Sequence, residues 1–185
     1  MLYTRKGDTG TTKDFNSKPG ERTSKSSCQT ESLGALDELG AFLGLAKLKS
    51  GEVAWTVDGI KPFDIVAWTQ NCLFTIQAEV AGADKRVGNE KVIEMERWID
   101  WTEKELPPIK TFFISGGTEL AALFDVSRTL ARKAERRVIA GAEANEFKID
   151  PATLAFLNRL SSLFYALARL TNHKSGITEQ PPTYK

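Results

Sequence analysis

The chain contains 185 residues, of which 25 are basic and 24 acidic, so its formal net charge is only +1. This length favours one domain with a substantial hydrophobic core, and the near-neutral charge argues against nucleic acid or a membrane surface as a general partner. The single histidine, His173, excludes a multi-histidine metal site and disfavours Ser-His-Asp or Cys-His catalysis.

The cysteines and the apolar pattern indicate where the protein is expected to reside. Cys28 and Cys72 lie far apart and lack the spacing of a metal-binding pair, which is typical of reduced thiols inside the cell. No apolar run approaches the ~18 residues that span a bilayer, and the polar N-terminus resembles neither a signal peptide nor a transit peptide. We therefore expect a cytoplasmic protein.

The first half of the chain predicts a loop followed by three helices. Residues 1–27 combine Gly and Pro with Thr, Ser, Lys and Asp and lack apolar periodicity, which predicts a loop or mobile arm. Leucines recur at helical spacing over about 31–49, and similar apolar patterns follow over about 63–83 and 90–106. Pro107-Pro108 ends the third pattern.

The second half predicts a connector and two more helices. The stretch TFFIS at 111–115 has no apparent partner strand and is interpreted as an extended connector. Gly116-Gly117 then precedes a helix over about 118–141, which Gly141 is expected to help end. Asp150-Pro151, a cap residue followed by proline, starts a last helix that runs to about Asn172.

Five helices with short connections and no strand pairs predict an all-α fold, an up-down five-helix bundle. The expected organisation is one domain, with the arm at 1–27, the bundle at 28–172 and a tail at 173–185.

The fourth predicted helix carries two distinct faces. At about 100° per residue, one stripe holds the charged residues Asp125, Arg128, Arg132, Glu135 and Arg136. The opposite face is mainly apolar and contains Leu120, Leu123, Ser127, Leu130, Ala131, Ala134 and Val138. Arginines in one stripe suit phosphate or carboxylate groups because each guanidinium presents forked donors, although a solvated, salt-bridged face would give the same pattern.

Two further segments offer polar groups. Around Gly7, Asp8 and Gly10, the stretch YTRKGDTGTT supplies flexible backbone N–H groups, hydroxyls and cations that suit phosphates, although a plain turn explains the same residues. It lacks the GK[ST] ending of a Walker loop. Lys25 precedes a helix on which Asp37 is either a solvated acid or a partner for an arginine across an interface.

The last helix bears a polar stripe opposite its leucines. Asn158, Ser162, Tyr165 and Arg169 recur at helical spacing on this stripe. Asn158 is suited either to a nucleobase edge or ribose hydroxyl, or to bracing a neighbouring helix.

Taken together and in order, these segments resemble the ATP:cob(I)alamin adenosyltransferases of the propanediol-utilisation type. The matching stretches span most of the chain: YTRKGDTGTT, SK followed by ESLGALDELGAFLGLA, ISGGTELAALFDVSRTLARKAERRV, and FLNRLSSLFYALARL. The resemblance implies a five-helix bundle assembled as a homotrimer, with ATP bound between subunits and Mg²⁺ on its phosphates through protein ligands that the motifs do not identify. It also implies cobalamin as the second substrate, and a cob(II)alamin reductase and an adenosylcobalamin-dependent enzyme as candidate partners.

The resemblance also assigns roles to individual residues. The positions that match ATP contacts are Thr4, Gly7, Asp8, Gly10, Thr12, Lys25, Arg128, Arg132, Glu135 and Asn158. Asp37 matches an aspartate that pairs with the position of Arg128, and Phe112 matches the aromatic residue on the lower axial face of the corrinoid. Asp125 and Ser162 fall at the corrinoid site.

The implied reaction explains why cations matter more than a general base. Cob(I)alamin attacks the 5′ carbon of ATP and triphosphate leaves, so negative charge accumulates on the departing group. The expected catalytic residues are therefore Lys25, Arg128 and Arg132, together with Phe112, whose apolar ring would exclude an axial ligand from cobalt.

The chain departs from the usual family pattern at four positions. It has Ser115 before Gly-Gly where the family usually has proline, Asp125 in place of a common histidine, Ser162 in place of a frequent aspartate, and Lys133 in place of a frequent arginine. The changes at Ser115, Asp125 and Ser162 motivate an alternative function, an ATP-binding but catalytically weak relative that senses nucleotide or delivers cobalamin. A third possibility is a helical scaffold whose arginines make only inter-subunit salt bridges.

Overall fold

Five α-helices and one short hairpin are found in the computed structural model, which describes residues 3–15 and 17–184. The helices are α1 (Cys28–Ser50), α2 (Pro62–Val80), α3 (Asn89–Glu105), α4 (Glu119–Glu143) and α5 (Pro151–Lys174). Each boundary lies within three residues of the sequence-based prediction. The prediction of an all-α bundle is confirmed.

Short polar side chains begin three of the helices. The Ser27 hydroxyl accepts a hydrogen bond from the Thr30 N–H at the start of α1. Thr118 caps α4 in the same way. Asp150 accepts from the Ala152 N–H at 2.9 Å, and Pro151 occupies the first turn of α5, so the Asp-Pro start signal is confirmed.

The packing order of the bundle places α4 next to α5. α1 packs against α2 and α4, and α5 packs against α4 and α3. The Lys133–Glu38 and Lys49–Glu119 ion pairs show that α1 and α4 run antiparallel. Leucines of α1 and α5 fill the centre, where Phe124 of α4 stacks on Phe164 of α5 with ring centroids 6.3 Å apart. α4 and α5 therefore share a buried apolar seam.

The arm contains regular structure that the sequence does not predict. β1 (Thr11–Thr12) pairs antiparallel with β2 (Thr23–Ser24). Arg22 reinforces the pairing, because its guanidinium donates to the hydroxyl and the carbonyl of Thr11 at 2.7 and 2.8 Å. The expectation of no strand pairs was wrong because two-residue strands are too short to produce an alternating pattern.

Gly141 does not end α4, contrary to expectation. The helix continues to Glu143, and Gly141 is buried within it. A β-carbon at this position would lie 2.3 Å from the Phe147 ring, so the glycine makes room for that ring rather than for a left-handed turn. The connector at 111–115 forms no strand, as predicted. No helix in the described ranges is both long and apolar enough to cross a bilayer.

Candidate active site

The arginine stripe of α4 borders a cleft of about 640 Å³ between α4, α5 and the connector. Arg128 retains 29% of its side-chain exposure, and Arg132 is exposed. The residues that line this cleft include the predicted Phe112, Asp125, Arg128, Arg132 and Ser162. The fold thus brings together the residues matched to the corrinoid site and three of the four residues expected to be catalytic, Phe112, Arg128 and Arg132.

The connector presents an apolar edge to the cleft. Phe112 is 80% exposed, and Ile109 and Ile114 are also exposed although both are large and apolar. Its backbone is nevertheless held in place, because the Ile114 N–H donates to the carbonyl of Gln180 in the C-terminal tail at 2.9 Å. The Phe112 ring is therefore available to a ligand rather than buried between helices.

Asp125 is turned away from the exposed part of its predicted stripe. It is only 9% exposed, and its Oδ2 accepts the Gly116 N–H at 2.8 Å. Its other oxygen lies 3.9 Å from Nε of Arg128, too far for a hydrogen bond. Nε of Arg128 is buried without a hydrogen-bond partner among the described residues. Asp125 consequently leaves the donors of Arg128 largely uncommitted.

Sequence reasoning missed part of the cleft wall. Arg169 is 6% exposed, donates to Glu179 at 3.0 Å and to the Pro107 carbonyl at 3.1 Å, and lies over the Phe113 ring. Spacing placed Arg169 on a polar stripe but could not show its burial. Glu179 lies in a tail without periodicity, so no sequence signal connects it to the site.

Tyr165 also lines the cleft, from α5. Burial raises the pKa of its hydroxyl, while the nearby Arg169 opposes the shift. The group therefore stays protonated at neutral pH and can donate a hydrogen bond into the cleft.

The arm residues lie at a different place. Thr12 and Lys25 line a separate cavity of about 440 Å³ with Glu38 and Lys133, between the arm, α1 and α4. Lys25 Nζ donates to the Gly7 carbonyl at 3.0 Å. Thr4, Asp8 and Gly10 are exposed along the same arm. Among the described residues of one chain, Lys25 and the arginines of the cleft line two different cavities.

Three further predicted residues, Asn158, Glu135 and Asp37, line neither of these two cavities. Asn158 on α5 donates to Glu135 on α4 at 2.8 Å, which braces the two helices and keeps both side chains at the surface. Asp37 is exposed on α1, and no contact of the described residues joins it to Arg128 within the chain. The described part of the chain also contains no cluster of three or more His, Cys, Asp or Glu side chains suited to a metal ion.

A helical bundle with arginines and an exposed apolar edge around one cleft is suited to an enzyme that brings an anionic substrate together with a large, partly apolar one. A family comparison identifies that class more closely. The model of the cobalamin adenosyltransferase family matches residues 2–171, and this chain belongs to that family. The resemblance drawn from the motifs is confirmed.

Individual relatives agree with this assignment. The chain is 37% identical over 177 residues to the corrinoid adenosyltransferase of Bacillus subtilis, covering 95% of this chain and 89% of that protein. It is 33% identical to the corrinoid adenosyltransferase PduO of Citrobacter freundii over 93% of this chain, but spans only 50% of that protein's length. A solved structure, a phenylalanine-to-histidine variant of the PduO-type ATP:corrinoid adenosyltransferase from Lactobacillus reuteri complexed with cobalamin and ATP, matches with a TM-score of 0.85. That match has 25% identity and covers 100% of this chain and 97% of the other.

Proposed function

We propose that this chain transfers the 5′-deoxyadenosyl group of ATP to cob(I)alamin, giving adenosylcobalamin and triphosphate. Membership of the cobalamin adenosyltransferase family supports the reaction, and the curated relatives carry that activity in their names. The observation that carries the proposal is the single cleft that joins Arg128 and Arg132 to the exposed Phe112. Such a cleft can hold a polyphosphate beside an apolar face.

The arginines would act on the leaving group. Negative charge grows on the triphosphate as the C5′–O bond breaks, and preorganised cations stabilise that charge most in the transition state. Arg132 is exposed, and Arg128 retains 29% of its side-chain exposure with only a long 3.9 Å contact to Asp125, so both guanidinium groups can turn donors toward phosphate oxygens. Mg²⁺ would arrive with ATP, because phosphate oxygens are ligands that this ion prefers.

ATP would bind between subunits of a homotrimer. Within one chain the Lys25 arm lies apart from the arginine cleft, so the two halves of the proposed ATP site would meet only when a second chain contributes one of them. α1 also carries an exposed stripe with small and apolar residues around Asp37, namely Gly34, Ala41, Leu45 and Leu48. Such a stripe suits helix-to-helix contact, and Asp37 would then reach the partner's arginine.

The test combines assembly, binding and turnover. Light scattering should give a trimer at micromolar concentration, and backbone hydrogen exchange of the arm should slow when MgATP is added. Purified protein with chemically reduced cob(I)alamin and MgATP should form adenosylcobalamin. A strict monomer in the presence of ATP would contradict the interface site, and unchanged exchange at saturating MgATP would remove Gly7, Asp8 and Gly10 from it.

The same experiment separates the alternatives. ATP binding without adenosylcobalamin would identify a nucleotide sensor or cobalamin delivery protein, and Ser115 and Asp125 would then be the first positions to revert. Absence of any thermal protection by MgATP would instead favour a scaffold.

A further inference from the structure

We infer that Asp125 and Asn172 are positioning residues that together hold the Gly116 peptide and so set the position of the Phe112 connector. This inference deepens the proposed function and rests on it where corrinoid chemistry is concerned. Neither side chain needs to touch a substrate for the mechanism to operate. Both act on the backbone that follows Phe112.

The two side chains bind the Gly116 peptide from two neighbouring helices. Asp125 on α4 accepts the Gly116 N–H at 2.8 Å, and Nδ2 of Asn172 on α5 donates to the Gly116 carbonyl at 2.7 Å. Oδ1 of Asn172 also accepts the Thr118 N–H at 3.1 Å, at the first turn of α4. Three backbone groups around one turn are therefore satisfied by two side chains.

Burial makes these bonds selective for one conformation. Asp125 is 9% exposed and Asn172 is 6% exposed, so water cannot readily replace either partner. A buried carboxylate that accepts a backbone N–H makes a charge-assisted bond, which is stronger than a neutral one. Losing the bond would leave a buried charge and a free amide, and both are costly.

The glycine pair is required by the same arrangement. Gly116 and Gly117 have φ values of +117° and +108°, which side-chain-bearing residues rarely adopt. A β-carbon on Gly117 would lie 2.3 Å from Oδ1 of Asn172. The amide of Asn172 thus occupies the space that a side chain would take, and the turn and the amide fit only each other.

The connector is also held at other points, so the Gly116 bonds act on the segment that joins it to α4. Arg169 donates to the Pro107 carbonyl, before the connector, and its guanidinium lies over the Phe113 ring, while the Gln180 carbonyl accepts the Ile114 N–H. Phe112 itself is 80% exposed and is placed only through the backbone on either side of it. Loss of the Gly116 bonds should free the backbone between Ile114 and Thr118, through which the connector joins α4, and so loosen the position of the Phe112 ring without unfolding the bundle.

The first experiment measures the grip without any ligand. In Asp125→Ala, exchange of the Gly116 amide should accelerate at least about tenfold, while Asp125→Asn, which keeps an acceptor oxygen, should restore most of the protection. Ser127→Ala is the matched control, because Ser127 is buried on the same helix and its hydroxyl donates within that helix, to the Leu123 carbonyl. Unchanged Gly116 exchange in Asp125→Ala would overturn the inference whatever the enzyme does.

The second experiment measures the consequence for cobalt. If the Phe112 ring excludes an axial ligand, cob(II)alamin bound with MgATP should show the spectrum of a four-coordinate cobalt centre. Asp125→Ala and Asn172→Ala should each lose most of that spectral signal. Each should also lower kcat at least about tenfold, with KM for ATP changed less than about threefold. The double variant should be little worse than either single one, because both act on one turn. Equal loss in Asp125→Asn and Asp125→Ala would show that the charge acts directly, and would overturn the positioning role. A parent protein that forms no adenosylcobalamin would refute the proposed function. The hydrogen-exchange result would still show whether Asp125 and Asn172 hold the Gly116 peptide.

Discussion

Replacing Phe112 with alanine should damage catalysis while leaving the fold intact. The Phe112 ring is 80% exposed, so only about a fifth of its surface is buried. A phenylalanine buries roughly 200 Å² when fully enclosed, so about 40 Å² is at stake here. At about 25 cal/mol per Å², Phe112→Ala should lower the free energy of unfolding by no more than about 1 kcal/mol.

Phe124 provides the matched control in the core. It has the same side chain but 0% exposure, and it stacks on Phe164 across α4 and α5. Phe124→Ala should therefore cost about 3–5 kcal/mol, because it removes a fully buried ring and leaves a cavity. In a protein of this size that loss lowers Tm on the order of 10 °C, against a shift of at most about 4 °C for Phe112→Ala.

The assay pairs melting temperatures at equal protein concentration with spectra of bound cob(II)alamin. The parent protein with MgATP should show a four-coordinate cobalt centre, whereas Phe112→Ala should show a five-coordinate one. Its kcat should fall at least about tenfold, which is about 1.4 kcal/mol of barrier, with ATP affinity largely kept. Undiminished turnover in a stable Phe112→Ala protein would refute the shielding role. A Tm loss equal to that of Phe124→Ala would refute the packing argument.

Three further outcomes are expected. Arg132→Lys and Lys25→Ala should lower kcat more than ATP affinity, because their charges are needed most as triphosphate departs; an equal loss of affinity in titrations with unchanged kcat would assign them to ground-state binding. Glu79→Ala should lower the free energy of unfolding by about 2–4 kcal/mol in denaturant titrations, because the buried carboxylate accepts bonds at 2.6 Å from both a backbone N–H and a hydroxyl at the start of α5. Glu79→Gln should lower the free energy of unfolding less than Glu79→Ala does. Equal losses would show that the charge of Glu79, rather than its hydrogen bonds, stabilises the fold. Burial raises the pKa of Cys72 to about 11. At pH 8 this thiol should therefore react with a disulfide reagent on the order of a hundredfold more slowly than the partly exposed Cys28. Equal reaction rates of the two cysteines would contradict the burial of Cys72.

Local signals in the sequence were sufficient for the helices and for the family. Apolar residues at helical spacing indicate each helix, and a capping residue such as Asp150 marks a helix start. Both signals are local, because they involve residues within one or two helical turns. The arginine stripe was visible for the same reason, since residues three and four apart share a helix face. The roles assigned to individual site residues remain predictions.

Features that depend on distant contacts were not predictable. Gly141 looked like a helix end because its sequence neighbours could not show the Phe147 ring that packs against it. The hairpin between Thr11 and Ser24 escaped notice because its strands are too short for periodicity. Arg169 resembled a surface residue because its partner Glu179 lies in an irregular tail.

The sequence by itself determined which residues are helical, which face of α4 is cationic and which family the chain resembles, because those properties come from local spacing and ordered motifs. Only the tertiary structure decided that Asp125 turns to the Gly116 backbone, and that Lys25 lies apart from Arg128 within one chain. The physical reason is that helix periodicity defines a face but not its neighbour. The direction in which a charged side chain is satisfied depends on which buried backbone groups the packing of α4, α5 and the connector leaves beside it.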